Sequence, residues 1–523
     1  MINEGKIQIG YSDHPVLLDP AMAMRHGLIA GATGTGKSTT LKVLAEGFSD
    51  LGVPVFLVDA KGDLSSLAAP GKMTEAVKKR IESAGITTEA FELKEFPVRF
   101  WDVFQKQGVP LRITVSDLGP GLFSRLMNLT PAQSGVMQIV FKAADDRGWQ
   151  LDDLKDLKAM LRWVQDNRAE LQNEYGAISS TSAAAILRAL LELENQKAEA
   201  FFGLPAIEAQ DLLSTTEDRG TINILEASEL LRQPLLYSAF MLWLLAELNE
   251  ILPEAGALDK PRLALFFDEA HMIFDDAPKA LVDQIAQTVR LIRSKGVAVF
   301  FITQSPSDLP ADVLSQLSNR IVHSLHAYTP EQTKGLKAAA QGFRINPAFK
   351  TLDELQQLGT GWALVSCLDQ EGVPEIVQKT MILPCQSSFD ALSPQTIARF
   401  TAMDPIMDKY GESIDPRSAY EILSEAQQEQ MQMEAQRQAE LEQEKERERM
   451  EKEERSGKSS RKKQSSIQKA VSSAAKSTAR SIGRQSARAI TRSVLGSQSK
   501  SVSRAAQNFA GSLPSSLIGN LFK

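Results

Sequence analysis

HGLIAGATGTGKSTTLK, residues 26–42, is the stretch that decides the fold. A short apolar run, Gly27 to Ala30, enters a glycine-rich turn, and a helical pattern (STTLKVLAEGFSD) leaves it. Gly31 to Ser38 fits the spacing G-x-x-x-x-G-K-[ST] between a strand and a helix. Glycine is needed there because the backbone must wrap tightly enough for its N–H groups to surround phosphate oxygens. The helix N-terminus adds partial positive charge. Gly31, Ala32, Thr33, Gly34, Thr35, Gly36, Lys37, Ser38 and Thr39 are therefore expected to hold a nucleoside triphosphate, ATP, as substrate. Lys37 would reach the β and γ phosphates, and the Ser38 hydroxyl would ligate Mg2+. The bland alternative is a glycine turn before an unrelated helix.

Four further stretches fall into place around this one. LALFFDEAH, residues 263–271, ends a buried-looking strand in two carboxylates. A carboxylate at such a point is costly without a charged partner. Magnesium supplies one, so Asp268 is read as a water-mediated metal partner and Glu269 as the general base that polarises the attacking water. The competing reading is a solvated strand end. His271 lies beside the pair, but the other four histidines are scattered and form no ligand cluster. VAVFFITQSPSDL, residues 297–309, ends another apolar strand in Thr303-Gln304. The Gln304 amide is placed to sense the γ-phosphate and hold the lytic water, unless the pair merely terminates a strand.

Upstream, VRLIRSKG (289–296) offers a cation for a neighbour's site. Arg293 is the first choice, Arg290 the second, with Arg320 and Arg344 behind them; each is equally readable as a surface or salt-bridge arginine. VDAKGDL (58–64) sets Asp59, Lys61 and Asp63 after a second strand, either as nucleotide or DNA contacts or as a polar turn.

Outward from these motifs, short apolar runs alternate with helical patterns, which predicts an α/β core with a mostly parallel sheet. The clearest strands are Gly27–Ala30, Val53–Asp59, Leu263–Asp268 and Val297–Thr303; Thr221–Leu225, Ile321–Leu325, Trp362–Ser366 and Ile376–Met381 follow. LALFF and VAVFFIT are apolar on successive residues, as in strands covered on both faces. The expected organisation is a RecA-like core split into 1–119 and 214–415 by an all-helical insertion over 120–213. A charged helix follows over 416–455, read as a solvated single helix in preference to a coiled coil, and a basic Ser/Ala-rich tail over 456–523.

The composition of the 523 residues, 43% hydrophobic and 24% charged, is that of a globular protein. Two cysteines exclude a disulfide framework and fit a cytoplasmic setting. The most apolar stretch, Leu235 to Ala246, is too short to span a bilayer, so no transmembrane segment is expected. The net charge of −7 conceals an asymmetry: the tail holds 13 Lys and Arg and no acid, while residues 1–455 hold 45 basic against 65 acidic residues. Arg480, Arg484, Arg488 and Arg492 recur every fourth residue, on one face if helical. That face suits DNA phosphates, the acidic body of a neighbouring copy, or an anionic lipid surface.

HGLIAGATGTGKSTTLK, VFLVDAKGDLSSL, FWDVFQKQGVPLRITVSDLGP, ALFFDEAH, GVAVFFITQSPSDLP and NRIVHSLHAYTP together resemble the HerA/FtsK superfamily of ring-forming P-loop ATPases, over about residues 5–400. The match is to the bacterial HerA-like group known by its helicase C-terminal-type domain. The basic ARSIGRQSARAITRSVLGS segment of the tail is also family-like. The resemblance implies a RecA-like core, a homo-oligomer (a hexamer), and ATP-driven movement of nucleic acid or a similar cargo. It puts Lys37, Ser38, Asp268, Glu269 and Gln304 in the roles above and Arg293 in the position of the trans-acting arginine. Neither the β-barrel that precedes the ATPase in HerA relatives nor the membrane and winged-helix regions of FtsK is recognisable, so their substrates do not carry over automatically. The leading expectation is a DNA translocase or helicase-like ATPase. Against it stand a protein-remodelling ATPase that uses the helical insertion to bind a protein partner, and a scaffold that binds nucleotide without turnover.

Overall fold

A computed structural model describes residues 1–275 and 277–455. The basic tail, with Arg480, Arg484, Arg488 and Arg492, lies outside the described residues. The chain divides into two units, Met1–Gln428 and Glu429–Lys523.

The first unit is built on one 13-stranded sheet. Its strands in chain order are β1 (Ile2–Asn3), β2 (Lys6–Tyr11), β3 (Pro15–Leu18), β4 (Gly27–Ala30), β5 (Val55–Asp59), β6 (Val98–Asp102), β7 (Val109–Pro110), β8 (Ile222–Glu226), β9 (Leu263–Phe267), β10 (Val297–Thr303), β11 (Asn319–His323), β12 (Trp362–Ser366) and β13 (Gln378–Ile382). Across the sheet they run β1-β2-β13-β12-β11-β4-β10-β9-β5-β8-β6-β7, with β3 beside β2. From β11 to β7 every neighbouring pair is parallel. The β13, β12 and N-terminal strands extend the sheet antiparallel.

The central strands are apolar at every position because both faces are covered. In β9, Leu265 and Phe267 face one core and Ala264 and Phe266 the other. On the second face the Lys37–Asp50 helix lies on the sheet, with Phe48 against Phe266 and Phe300, whose rings stack at 4.9 Å. Burying three such side chains stabilises the unit by several kcal/mol, roughly 2 kcal/mol each. On the first face lies the Pro234–Ile251 helix, which contains the apolar stretch read from sequence; Phe240 packs on Phe56 at 5.8 Å. It is buried on nearly all sides, so its hydrophobicity belongs to a core. No single helix among the described residues is long and apolar enough to cross a membrane.

Between β7 and β8 run the helices Val115–Leu126, Pro131–Asp145, Leu154–Asp166, Arg168–Tyr175 and Ser180–Asn195. Their apolar sides, including Met137, Leu157 and Leu190, join the core that Phe56 and Trp101 of the sheet enter. Asp153 caps the third of these helices through the backbone N–H groups of Lys155 and Asp156, which stops fraying at its start. The last described helix, Ala419–Arg455, has 37 residues, and its few apolar side chains past Gln428, such as Met431, Met433 and Leu441, are exposed.

Candidate functional site

Parallel strands deliver their C-terminal ends to one edge of the sheet, where loops gather to bind ligands. Here β4 ends in the glycine loop, its neighbour β10 in Gln304, β9 beyond it in Asp268-Glu269, and β5 next in Asp59 to Asp63. The register pairs Ala30 with Thr303 and Phe267 with Phe301. Adjacent strands are about 4.8 Å apart, so the loop and the acidic pair flank Gln304 across about 10 Å.

The loop itself turns through Gly31 (φ +155°), Gly34 (φ +79°) and Gly36 (φ +118°). At Gly31 the constraint is also one of space: a Cβ there would stand 2.5 Å from the Cβ of His323. Lys37 is buried, and its ammonium donates to the carbonyls of Gly31 (2.5 Å) and Ala32 (3.2 Å). Burial lowers its pKa, while Glu269 and Asp268 pull it back up. Those carboxylates therefore lie within electrostatic reach of Lys37.

Asp268 is almost fully buried, and that burial raises its pKa to about 6 against the opposing charge of Lys61. Glu269 adopts φ +46°, unusual for a side-chain-bearing residue. Burial pushes its carboxyl up, but Lys61, Gln304 and His271 together outweigh burial and leave it below the ordinary value. Its Oε1 lies 2.9 Å from Lys61 Nζ; its Oε2 accepts from Gln304 Nε2 at 3.4 Å and stands 3.5 Å from His271 Nδ1. The structure thus brings Lys37, Asp268, Glu269 and Gln304 to one edge, with Ser38 and Thr39 half-buried in the first turn after the loop.

Two of the three polar residues after β5 separate in purpose. Asp59 accepts the N–H groups of Lys61 (3.1 Å), Gly62 (2.8 Å) and Leu64 (3.0 Å), which makes it the organiser of the turn. Burial, then the neighbouring Asp63, raises its pKa to about 7. Lys61 instead crosses to Glu269.

Arg293 sits in a turn, Arg293–Lys295, that enters β10 at the opposite edge. The strand between it and Gln304 has seven residues, so about 20 Å separates Arg293 from its own chain's site. Arg290 is exposed close by. Arg320 is tied to the carbonyls of Leu317 and Gly342, and Arg344 to that of Pro374.

Sequence reasoning overlooked His323. It lies beneath the glycine loop, donating from Nδ1 to the Trp362 carbonyl (2.9 Å) and accepting the Thr40 hydroxyl at Nε2 (2.8 Å). Burial, helped by the charge of Lys37, lowers its pKa to about 4 and keeps it neutral in that role. The clue was its place at the end of a strand beside β4, visible only once strand order is known.

As to a metal, no group of three His, Cys, Asp or Glu gathers among the described residues. Ser38 and Asp268 offer hard oxygen donors, which suits an ion held by one or two protein groups with phosphates and water supplying the rest.

Set against known proteins, the pattern of the Helicase HerA-like C-terminal family matches residues 4–503. The chain belongs to this family. No curated protein matches it. Among solved structures, plasmid coupling protein TrwB in complex with ADP and Mg2+ aligns at 17% identity and TM-score 0.50, covering 75% of the HerA-like chain and 92% of TrwB. VirB4 of Thermoanaerobacter pseudethanolicus aligns at 17% identity and TM-score 0.46, covering 74% and 99%. At 17% identity the likeness to TrwB is one of fold: a RecA-like P-loop ATPase sheet.

Proposed function

We propose that this HerA-like chain is an Mg2+-dependent ATPase that works as a ring of identical copies and moves DNA. One observation carries the ATPase reading: a glycine loop with Lys37, an acidic pair and a glutamine meet on one sheet edge, in the order β4-β10-β9. In this reading Gly31 to Thr39 hold the triphosphate through backbone N–H groups, and Lys37 neutralises the β and γ phosphates. Ser38, and Asp268 through water, would hold Mg2+, which when bound draws charge off the phosphate oxygens. Glu269 takes a proton from the attacking water as the bond between the γ-phosphorus and the bridging oxygen breaks. Gln304 orients that water.

Arg293 supports the ring. Sitting about 20 Å from its own site, it acts in this reading on the site of an adjacent copy, offsetting charge on the transferring phosphoryl group. The DNA assignment follows from membership of a helicase-type family; the acidic balance of residues 1–455 limits DNA contact to a local basic surface.

The test is ATP hydrolysis by the full chain with Mg2+, alone and with single-stranded DNA, double-stranded DNA or RNA over a range of salt. Hydrolysis is expected to vanish in Lys37→Ala, to fall to a small residual rate in Glu269→Gln, which still binds ATP, and to rise with DNA in a salt-sensitive manner. Stimulation by a protein partner and by no nucleic acid would transfer the assignment to protein remodelling through the 115–195 helices. Full turnover in Glu269→Gln would end the hydrolytic scheme.

A further inference from the structure

The Glu269 carboxylate is held from two sides, and one of the two holders has no part in the scheme above. Lys61 reaches it from the loop after β5, the strand next to β9. That loop is stiff: Asp59 takes three of its backbone N–H groups, and Gly62 turns it at φ +78°. The two partners are unequally placed. The Glu269 side chain is 11% exposed, whereas Lys61 is 43% exposed and approaches from the solvent side. Without the ammonium at 2.9 Å from Oε1, Glu269 keeps a single amide contact at 3.4 Å and His271 at 3.5 Å, both weak for a carboxylate.

We infer that Lys61 is the positioning residue for Glu269: by gripping Oε1 while Gln304 touches Oε2, it sets the direction in which the carboxylate faces the lytic water. The inference rests on the proposed role of Glu269 as base. A general base works only within about 3 Å of its proton, and a misplacement of about 1 Å costs on the order of 100-fold in rate. An ordinary surface ion pair, by contrast, adds little to stability and nothing to turnover. A direct phosphate ligand would show itself in nucleotide affinity.

These three roles separate in one experiment on the full chain with Mg2+: steady-state ATP hydrolysis, and binding of a fluorescent ATP analogue, for wild type, Lys61→Ala, Lys61→Arg, Glu269→Gln and the double variant Lys61→Ala/Glu269→Gln. Lys61→Ala is expected to lose roughly 10- to 100-fold in kcat while its affinity for the analogue stays within about threefold. Lys61→Arg keeps the charge and the reach and should recover most of that loss. The double variant should be no slower than Glu269→Gln, because Lys61 acts through Glu269. Three results would overturn the inference: kcat of Lys61→Ala within about twofold of wild type, a fall in affinity that accounts for the fall in rate, or a further loss in the double variant. If instead wild type does not hydrolyse ATP, or Glu269→Gln is as fast as wild type, the proposed function falls and takes this role with it. A failure confined to Lys61 leaves those two controls intact.

Discussion

Acidification should loosen the strand that carries the glycine loop, and His26 is the reason. This residue precedes β4 at φ +58°, fully buried. Its Nε2 donates to the Val289 carbonyl (2.8 Å), its Nδ1 accepts the Val299 N–H (3.1 Å), and its carbonyl accepts Asn319 Nδ2 (2.9 Å). It therefore fastens β4 to β10, to β11 and to the end of the helix that leads to Arg293. Both ring nitrogens are committed in the neutral form, so a second proton would break the bond from Val299. Burial lowers its pKa from 6.5 to about 4, with the charge of Arg293 adding to the effect against the Val289 carbonyl. The folded value is depressed, so the unfolded chain takes up a proton first as pH falls. Stability is intact above pH 6.5, declines as pH drops toward about 4, and levels off below it. The whole shift is worth about 3 kcal/mol, of which about 2 kcal/mol is lost between pH 6.5 and about 4.5. Urea unfolding followed by tryptophan fluorescence at several pH values would read it. His26→Asn tolerates the positive φ and lacks the titration. It should be less stable at neutral pH and have a shallower acid decline, by about 2 kcal/mol over that interval. Parallel pH curves for the two proteins would refute the reasoning, because every other titrating group, His323 included, is common to both.

Two more outcomes are expected. Mixing Arg293→Ala with Lys37→Ala protein should restore part of the ATPase activity that each lacks, since a mixed ring pairs an intact loop with an intact arginine; no recovery at any ratio would place the trans cation elsewhere. Gly31→Ala should lower the melting temperature more than Gly34→Ala, because its Cβ meets His323 at 2.5 Å while that of Gly34 meets nothing within 4 Å. The difference is expected to be about 1–3 kcal/mol, and a larger loss at Gly34 would contradict it.

The sheet was legible wherever a strand was apolar on successive residues. β4, β10 and β12 match the expected bounds, and β5, β8, β9, β11 and β13 differ by one or two residues, because frayed or capped ends carry no hydrophobic signal. β6 was not foreseen: its run, VRFWD, is short and interrupted by charge. That charge has tertiary causes, Arg99 pairing with Asp404 and Asp102 capping the N–H groups of Phe104, Lys106 and Gln107. The N-terminal strands β1 to β3 were missed as well, since an antiparallel ribbon at a sheet edge needs a partner, β13, that lies some 370 residues away.

By itself the sequence determined the local chemistry of this protein. A glycine loop between strand and helix, and carboxylates or an amide directly after apolar strands, are short-range patterns that backbone geometry and burial cost impose on neighbouring residues. Which of these patterns meet is a matter of strand order, and only the tertiary structure decided it. β10 lies between β4 and β9, so Gln304 stands between the loop and the acidic pair; β5 lies beside β9, so Lys61 reaches Glu269 while Asp59 closes its own turn. Strand order is set by how both faces of the sheet are covered, through contacts between residues hundreds of positions apart. No window of sequence contains that information.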